Sequence, residues 1–518
     1  MTSTTSPVDH ALARQAAGVT IGALFAQRVR SGPQRTALEQ GPRRLSYARL
    51  DERSNRLCRH LMSRGIGRGE RVAILSENRL EYVELLIAAA KLGVIAACQN
   101  WRLRDEELAH CLALVTPRLI LASPRHAEAA RRCGGAVPVL TFGAEYEQAL
   151  DAAPAEPVAD HCDPEDGVVI LYTSGTTGLP KGCVHHHSSL MHNAMAGQLW
   201  GGSTSEAVVL AVVPMFHITG VVSMMHTAVL AAATLIIMPR WDRDVAGRLI
   251  SRWKVTAWTN IPTMVIDLMA SPNFASYDLS SMNYIGGGGA AMPQAVAQRL
   301  LEQYGLKYQE GYGLTETAAP SHTNPSDHPK QQCLGIPFMS TDARVVDPDT
   351  LAEMPIGESG EIIIHGPEVF QGYWKRPDAT AAAFVEFEGK RFFRSGDMGR
   401  MDEEGYFFIT DRLKRMINAS GFKVWPAEVE LLMFRHPAIQ EACVISTKDD
   451  YRGESVKAVV VLRATHKDTT EQEIIDWCRE NMAVYKIPRK VQFVDALPKS
   501  GSGKVMWRLL QEDESRAK

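Results

Sequence analysis

The 518 residues, 45% hydrophobic and 22% charged, suffice for a large buried core and are too many for one simple domain, so at least two domains are expected. Lys plus Arg (56) against Asp plus Glu (59) leaves a formal charge of −3, which offers no global attraction to nucleic acid or to an anionic membrane. Any phosphate site must therefore be local. The start, MTSTTSPVDH, lacks the basic and apolar blocks of a secretory signal, and the longest apolar stretches, such as Thr227 to Met238, are too short to span a bilayer. A cytoplasmic protein with no transmembrane segment is expected. Nine cysteines between Cys58 and Cys478, with no C-x-x-C pair, read as reduced, packed thiols without a structural metal.

In chain order, Thr36 to Tyr47 reads as a hairpin turning at Gly41-Pro42, and Ser46 is placed to cap a helix running through Arg64. Val72 to Leu75 is a short apolar strand, and Arg79 to Leu92 has helical apolar spacing. After a loop carrying Pro154, Pro157 and Pro164, apolar strands are expected at Val168 to Tyr172, Thr234 to Met238, Val255 to Trp258 and around Ile285. Strands interleaved with helices imply α/β layering. Beyond about Asp411 the texture changes: strands are expected at Glu441 to Ser446, Val456 to Leu462 and Val491 to Val494, with a helix from Glu471 to Met482. These form a small α+β domain, joined through the charged stretch Asp411 to Arg415, which could serve as a hinge.

The most informative stretch is YTSGTTGLPKG, Tyr172 to Gly182. Three glycines, four hydroxyl side chains and a lysine after an apolar strand suit a loop that wraps backbone N–H groups and hydroxyls around phosphate oxygens. It is not a Walker loop, since Leu179-Pro180 separate Gly178 from Lys181 and Gly182 follows the lysine. Four consecutive glycines, Gly286 to Gly289, let a flat base approach the backbone, and Tyr312 offers it an aromatic face. Glu316 beside Thr315 is a hard oxygen donor suited to Mg²⁺. Asp397, as an ionised carboxylate, can accept two hydrogen bonds from a ribose diol. His185, His186 and His187 are consecutive and cannot all converge on one ion, so a structural or phosphate-proximal role is expected.

Together with PMFHITG (Pro214 to Gly220), GGGGAAMP (Gly286 to Pro293), QEGYGLTE (Gln309 to Glu316), RSGDMG (Arg394 to Gly399), DRLKRMINASGFKVWPAEVE (Asp411 to Glu430) and PKSGSGK (Pro498 to Lys504), this loop resembles the motif series of the adenylate-forming superfamily. That superfamily comprises acyl-CoA synthetases, beetle luciferases and peptide-synthetase adenylation domains. The motifs occur in order along essentially the whole chain, most like bacterial fatty-acid:CoA ligases. The resemblance implies a large multi-layer α/β N-terminal domain, residues 1–411, and a small mobile α+β C-terminal domain, residues 412–518, with a hinge near Lys414 and the active site between them.

It also implies an ATP-dependent acid:CoA ligase that forms an acyl-adenylate and then an acyl-CoA thioester, releasing AMP and pyrophosphate, with Mg²⁺ as cofactor and coenzyme A as co-substrate. ATP would be held by Thr173, Ser174, Gly175, Thr176, Thr177 and Lys181, by Gly288, Gly289 and Ala290, by Gly311, Tyr312 and Gly313, and by Asp397 and Arg412. Gly421 would line the passage for pantetheine, Glu316 would hold the metal with Thr315 beside it, and Lys504 would be the catalytic lysine. His217 stands where amino-acid-activating relatives have an Asp, which disfavours amino acids, and it is assigned to positioning the carboxylate. Val221, Val222, Met224 and Met225, with Ala318 and Ala319, are read either as an apolar acyl site or as ordinary core. The acid is expected to be a medium- or long-chain fatty acid. The alternatives are an aryl-CoA ligase, an enzyme that loads a carrier protein, a luciferase type and a catalytically silent nucleotide-binding homologue. The expected partners are the carboxylic acid, ATP and CoA, with no nucleic acid, and self-association as a homodimer is allowed for.

Overall fold

The computed structural model describes residues 18–173, 179–419, 422–449, 453–499 and 505–516. The chain divides into two compact units: Met1–Ala343 with Ile364–Phe393, and Arg344–Ile363 with Arg394–Lys518. The second unit takes in the expected 412–518 region together with two preceding segments.

Among the described residues, the first unit contains two large sheets. One has nine strands, in the order Ile336–Pro337, Ala319–Thr323, Tyr308–Leu314, Tyr284–Gly288, Ala257–Asn260, Val208–Ala211, Thr234–Ile237, Thr36–Gln40 and Arg43–Ser46. The other has seven, in the order Gly372–Tyr373, Lys181–His186, Gly167–Thr173, Ile95–Gln99, Arg71–Leu75, Leu119–Ala122 and Val139–Thr141. Their central pairs are parallel, as crossover helices require. The expected hairpin turns at Gly41, whose φ of +61° suits glycine. The Ser46 hydroxyl accepts the Arg49 N–H at 3.2 Å and caps the helix Tyr47–Ser63.

The helix Leu80–Leu92 is buried nearly all round, which marks a core helix. It carries Glu84 inside, and that charge is matched: Arg53 Nε donates to it at 2.6 Å and the Tyr146 hydroxyl at 2.7 Å. Among the described residues no helix is long and apolar enough to cross a membrane.

In the second unit, Ile439–Asp449 and Gly453–Leu462 pair antiparallel, with Lys490–Phe493 added in parallel. The helix Glu471–Asn481, capped by Thr470, packs Ile474 and Cys478 into a core with Val444, Val460 and Ile417. The Asp411 to Arg415 stretch differs from a solvated charged linker. Asp411 is buried and accepts the Ala427 N–H at 2.6 Å, while Arg415 pairs with Asp411 at 3.6 Å and with Glu430. Charges can be buried here because each has a partner. The helix Pro426–Met433 and the strand Phe407–Arg412 are thereby tied together within this unit.

Candidate functional site

The site is built at the ends of strands of the first unit. Thr173 closes the strand Gly167–Thr173, and Lys181 opens the antiparallel strand Lys181–His186 directly opposite it. Ser174, Gly175, Thr176 and Thr177 lie outside the described residues, as do Gly421 and Lys504. Lys181 Nζ sits 4.0 Å from the centroid of the Tyr373 ring. The hydroxyl of that same tyrosine donates to Glu316 Oε1 at 2.7 Å. One side chain therefore connects the lysine of the glycine-rich loop with the carboxylate expected to hold the metal. Burial and the Glu316 charge push the Tyr373 phenol far up, so it stays a donor.

Glu316 lies in the tight turn Thr315–Thr317 and is itself buried. Its carbonyl accepts the Phe370 N–H at 2.8 Å, and the carbonyl of Thr315 accepts from His185 Nε2 at 2.7 Å. Burial pushes the His185 imidazole down to about 3, which keeps it neutral and in the donating tautomer. The three histidines go separate ways. His186 Nδ1 accepts the Ser189 N–H at 3.3 Å and His187 Nδ1 accepts the Ile21 N–H at 3.2 Å.

The adenine-type segment is a matter of backbone clearance. Strands Tyr284–Gly288 and Tyr308–Leu314 run parallel with Gly288 opposite Gly311. A Cβ on Gly287 would lie 1.8 Å from the Asn260 carbonyl oxygen, and one on Gly288 would lie 2.2 Å from that of Gly311. Gly313 is equally constrained, its Cβ position falling 1.8 Å from the Ala319 carbonyl oxygen. Gly289 turns the chain at φ +86°, after which Ala290 is exposed. Ala318 and Ala319 also adopt positive φ, +51° and +83°, a strained pair just beyond Glu316. Tyr312, read as a ring for the base, is 7% exposed and meets His322 edge-on at 5.6 Å.

Two residues that the motif reading passed over organise this region. Glu310 accepts the Met292 N–H at 3.3 Å and the Gln332 N–H at 2.8 Å, pinning the segments that follow the strands Tyr284–Gly288 and Ala319–Thr323. Burial raises its carboxyl to about 7, against the pull of those two donors. Tyr373 is the other. No local signal singles it out, because its role arises only when its strand pairs with Lys181–His186.

The segment expected to hold the acid leads from Pro214 into a π-helical turn, Gly220–His226, a form frequent at functional sites. Val221, Val222, Met224 and Met225 are all fully buried in the core cluster, so the core alternative describes these four. Ala318 and Ala319 join the same cluster. The half-exposed positions are Pro214, His217, Thr219 and Ser223. The His217 Nδ1 accepts the Thr219 N–H at 3.4 Å.

In the second unit, Asp397 is fully buried in the strand Lys390–Met401, its N–H donating to Ser395 Oγ at 3.0 Å, and it stands opposite Arg412 in the antiparallel pair. Lys414 lies in the short turn Leu413–Arg415. For the metal, Glu316 with the neighbouring Thr315 offers hard oxygens from one carboxylate. Among the described residues no cluster of three or more His, Cys, Asp or Glu could hold an ion. One such carboxylate suits Mg²⁺, which takes one or two carboxylates and leaves its remaining positions to phosphate and water.

Glycine-lined strand ends beside Lys181 and Glu316 are the arrangement expected of an adenylate-forming enzyme. Residues 25–374 match the model of the AMP-binding enzyme family, and residues 428–504 that of the AMP-binding enzyme C-terminal domain. The chain belongs to this family. It is 34% identical to a feruloyl-CoA synthase of Amycolatopsis sp over 94% of this chain and 97% of the relative. It is 33% identical to the long-chain-fatty-acid–CoA ligase FadD13 of Mycobacterium tuberculosis, over 96% and 98%. Among solved structures, ATP-bound MatB from Rhodopseudomonas palustris superposes with a TM-score of 0.89 at 29% identity, covering 96% of this chain and 99% of that one.

Proposed function

We propose that the protein is an AMP-forming acid:CoA ligase: it joins a monocarboxylic acid to the α-phosphate of ATP, releases pyrophosphate, and passes the acyl group to the thiol of coenzyme A with release of AMP. The observation that carries this reading is the Lys181–Tyr373–Glu316 linkage beside the glycine-lined strand ends. It supports a site in which a cation and a metal-binding carboxylate meet the phosphates of one nucleotide. Thr173 and Lys181 hold phosphate oxygens, Glu316 with Thr315 holds Mg²⁺, and Gly288, Gly289, Ala290, Gly311, Tyr312 and Gly313 form the bed for the base. Asp397 accepts from the ribose diol, with Arg412 as a second contact. Bound Mg²⁺ would neutralise phosphate charge as the acyl-phosphate forms. His217 orients the carboxylate. Lys504 brings the positive charge that favours adenylate formation. Lys414 is the pivot between the two half-reactions, and Gly421 borders the pantetheine passage.

The acid we propose is a medium- or long-chain fatty acid, in keeping with relatives such as FadD13. An aryl acid is the second reading, and one observation favours it. Apart from Pro214, the half-exposed residues of the acid segment, His217, Thr219 and Ser223, are polar, whereas Val221, Val222, Met224 and Met225 are buried. Polar groups left at a pocket wall reject a purely apolar ligand unless it supplies partners. A panel of fatty, hydroxyaryl and dicarboxylic acids, scored by AMP release with and without CoA, tests both levels. AMP release that needs an acid but ignores CoA would sink the ligase reading, and the acid with the highest kcat/KM decides between chain and ring.

A further inference from the structure

A cavity of 450 Å³ lies at the edge of the seven-stranded sheet, where Gly372–Tyr373 pairs with Lys181–His186. That volume falls within the roughly 300–1,000 Å³ usual for small-molecule pockets. Val184, Trp374, Pro377 and Ala381 give it an apolar lining, and Lys375 and Arg391 bring two positive charges to it. All six belong to the first unit. Tyr373 is the one lining residue shared with the Lys181–Tyr373–Glu316 linkage, and no glycine of the strands Tyr284–Gly288 and Tyr308–Leu314 takes part. The cavity is therefore a different place from the bed proposed for the base.

The two cations are held without an anion. The Arg391 guanidinium carbon lies 3.5 Å from the centroid of the Phe384 ring, and although Glu386 stands opposite Arg391 in the strand pair, the guanidinium rests on the ring instead. Lys375 has a φ of +52°, a left-handed conformation that lysine takes only where the chain imposes it. Among the described residues, no carboxylate pairs with Lys375 or Arg391. Their sequence neighbours differ: Arg376 has Asp378 at 3.0 Å and Lys390 has Asp342 at 2.8 Å. Trp374 is fixed by its backbone N–H, which donates to the Gly182 carbonyl at 2.8 Å, and by Arg71, which lies 5.7 Å from its ring centroid. Its indole N–H is buried with no acceptor among the described residues. A donor left unmet inside a protein marks a place where a partner is missing.

An apolar lining beside two unpaired cations is complementary to a ligand with an apolar body and one anionic end. A small inorganic anion would leave the apolar lining bare, and a neutral apolar molecule would leave both cations unmatched. We propose that this cavity binds an organic acid with an apolar chain or ring, its carboxylate between Lys375 and Arg391. A carboxylate has two acceptor oxygens, one for each cation. The site is separate from the one proposed for the reacting acid, and the proposal does not depend on the ligase reading.

The test is equilibrium dialysis of radiolabelled decanoate against the full-length protein, with a parallel set containing ATP and EDTA, so that no acid is consumed. Wild type should bind decanoate, and ATP should not displace it. Lys375→Gln and Arg391→Gln, both at exposed positions, should each weaken binding about fivefold, the upper worth of an exposed ion pair, and the double variant about 25-fold. Decan-1-ol, which lacks the charge, should compete about 25-fold less well than decanoate, and inorganic phosphate should not compete. Ala381→Trp, at an exposed helix position, fills the cavity and should abolish binding. Should Ala381→Trp melt early, the charge variants decide alone. Where decanoate also occupies the acid segment, the isotherm shows two classes, and the variants must remove one and spare the other. Absence of binding to the wild type, binding that the double variant leaves unchanged, displacement by ATP, or decan-1-ol that competes as well as decanoate each overturns the proposal.

Discussion

The segments proposed for the nucleotide and for the acid, both in the first unit, are built on different principles. At Gly286, Gly287, Gly288 and Gly313 the shape is made by backbone, since a Cβ at any of them would fall within 2.6 Å of a neighbouring carbonyl oxygen. At Pro214 to His226 the shape is made by side chains, with Val221, Val222, Met224 and Met225 packed inward and polar residues left half-exposed. A site made by excluding side chains constrains residue type at fixed positions. A site made by packing constrains only volume and polarity, summed over distant segments.

The sharpest way to break this contrast is Gly287→Ala. The added methyl would lie 1.8 Å from the Asn260 carbonyl oxygen, so two strands of the nine-stranded sheet must separate. We expect a loss of about 3 kcal/mol or more in unfolding free energy and loss of ATP binding. Denaturant titration and ATP titration check this. Wild-type stability would mean that the backbone is not the constraint.

Next in size is the Lys181–Tyr373–Glu316 linkage. Glu316→Gln should cut adenylate formation about 10²–10³-fold, the usual cost of removing one electrostatic contact at a reacting centre. Tyr373→Phe keeps the ring under Lys181 and removes only the hydrogen bond to Glu316, so about a tenfold loss is expected. Acid-dependent exchange of pyrophosphate into ATP measures both. Equal losses in the two variants would show that the hydroxyl, not the carboxylate charge, matters most.

Much of this was legible in the sequence, for reasons that follow from the same contrast. The strands at Val168 to Tyr172 and Thr234 to Met238, the Ser46 cap and the glycine segments depend on local spacing and appear where expected. Tyr373 and Glu310 were not legible, because their partners are 57 and 18 or more residues away and are brought in by strand pairing. The Val and Met run after His217 was ambiguous since a π-helical turn rotates side chains out of ordinary helical spacing. The charged Asp411 to Arg415 stretch was read as a possible hinge, and sequence cannot show that Glu430 pairs with Arg415 or that the Ala427 N–H meets Asp411.

Two buried carboxyls extend the comparison to pH. Glu310 on the nucleotide side and Glu368, which accepts from Thr341 at 2.8 Å, are each raised from 4.5 to about 7, by burial first in both cases. A carboxyl raised on folding favours the folded state fully below its unfolded value of 4.5, and that contribution is lost as pH rises through about 7. Each shift corresponds to about 3 kcal/mol at most. Stability should therefore fall between about pH 5 and pH 8, and Glu368→Gln, which mimics the protonated acid, should flatten the profile. Glu310→Gln should flatten it too, but at a cost in KM for ATP, because its amide turns a donor toward one of the Met292 and Gln332 N–H groups. Identical behaviour of the two variants toward ATP would remove the special role of Glu310.

The smallest expected effect lies on the acid side. Thr219 and Ser223 are half-exposed and Val is close in volume to Thr, so Thr219→Val and Ser223→Ala should change stability by less than about 0.5 kcal/mol. What they alter is the polarity of the wall next to His217. If a hydroxyl-bearing acid is the substrate, losing one hydrogen-bond partner should lower its kcat/KM about tenfold while leaving fatty acids unchanged or improved. If a fatty acid is the substrate, both changes should raise kcat/KM a few-fold, since one desolvated hydroxyl fewer faces the chain. The ratio of the two acids moves in the same direction in either case, so the absolute values decide: the preferred acid of the wild type must be the one whose turnover the variants alter. Thr219→Val and Ser223→Ala that leave every acid untouched would place the selective wall on another segment, and the glycine-built nucleotide side would then be the only part of the site that local sequence had defined.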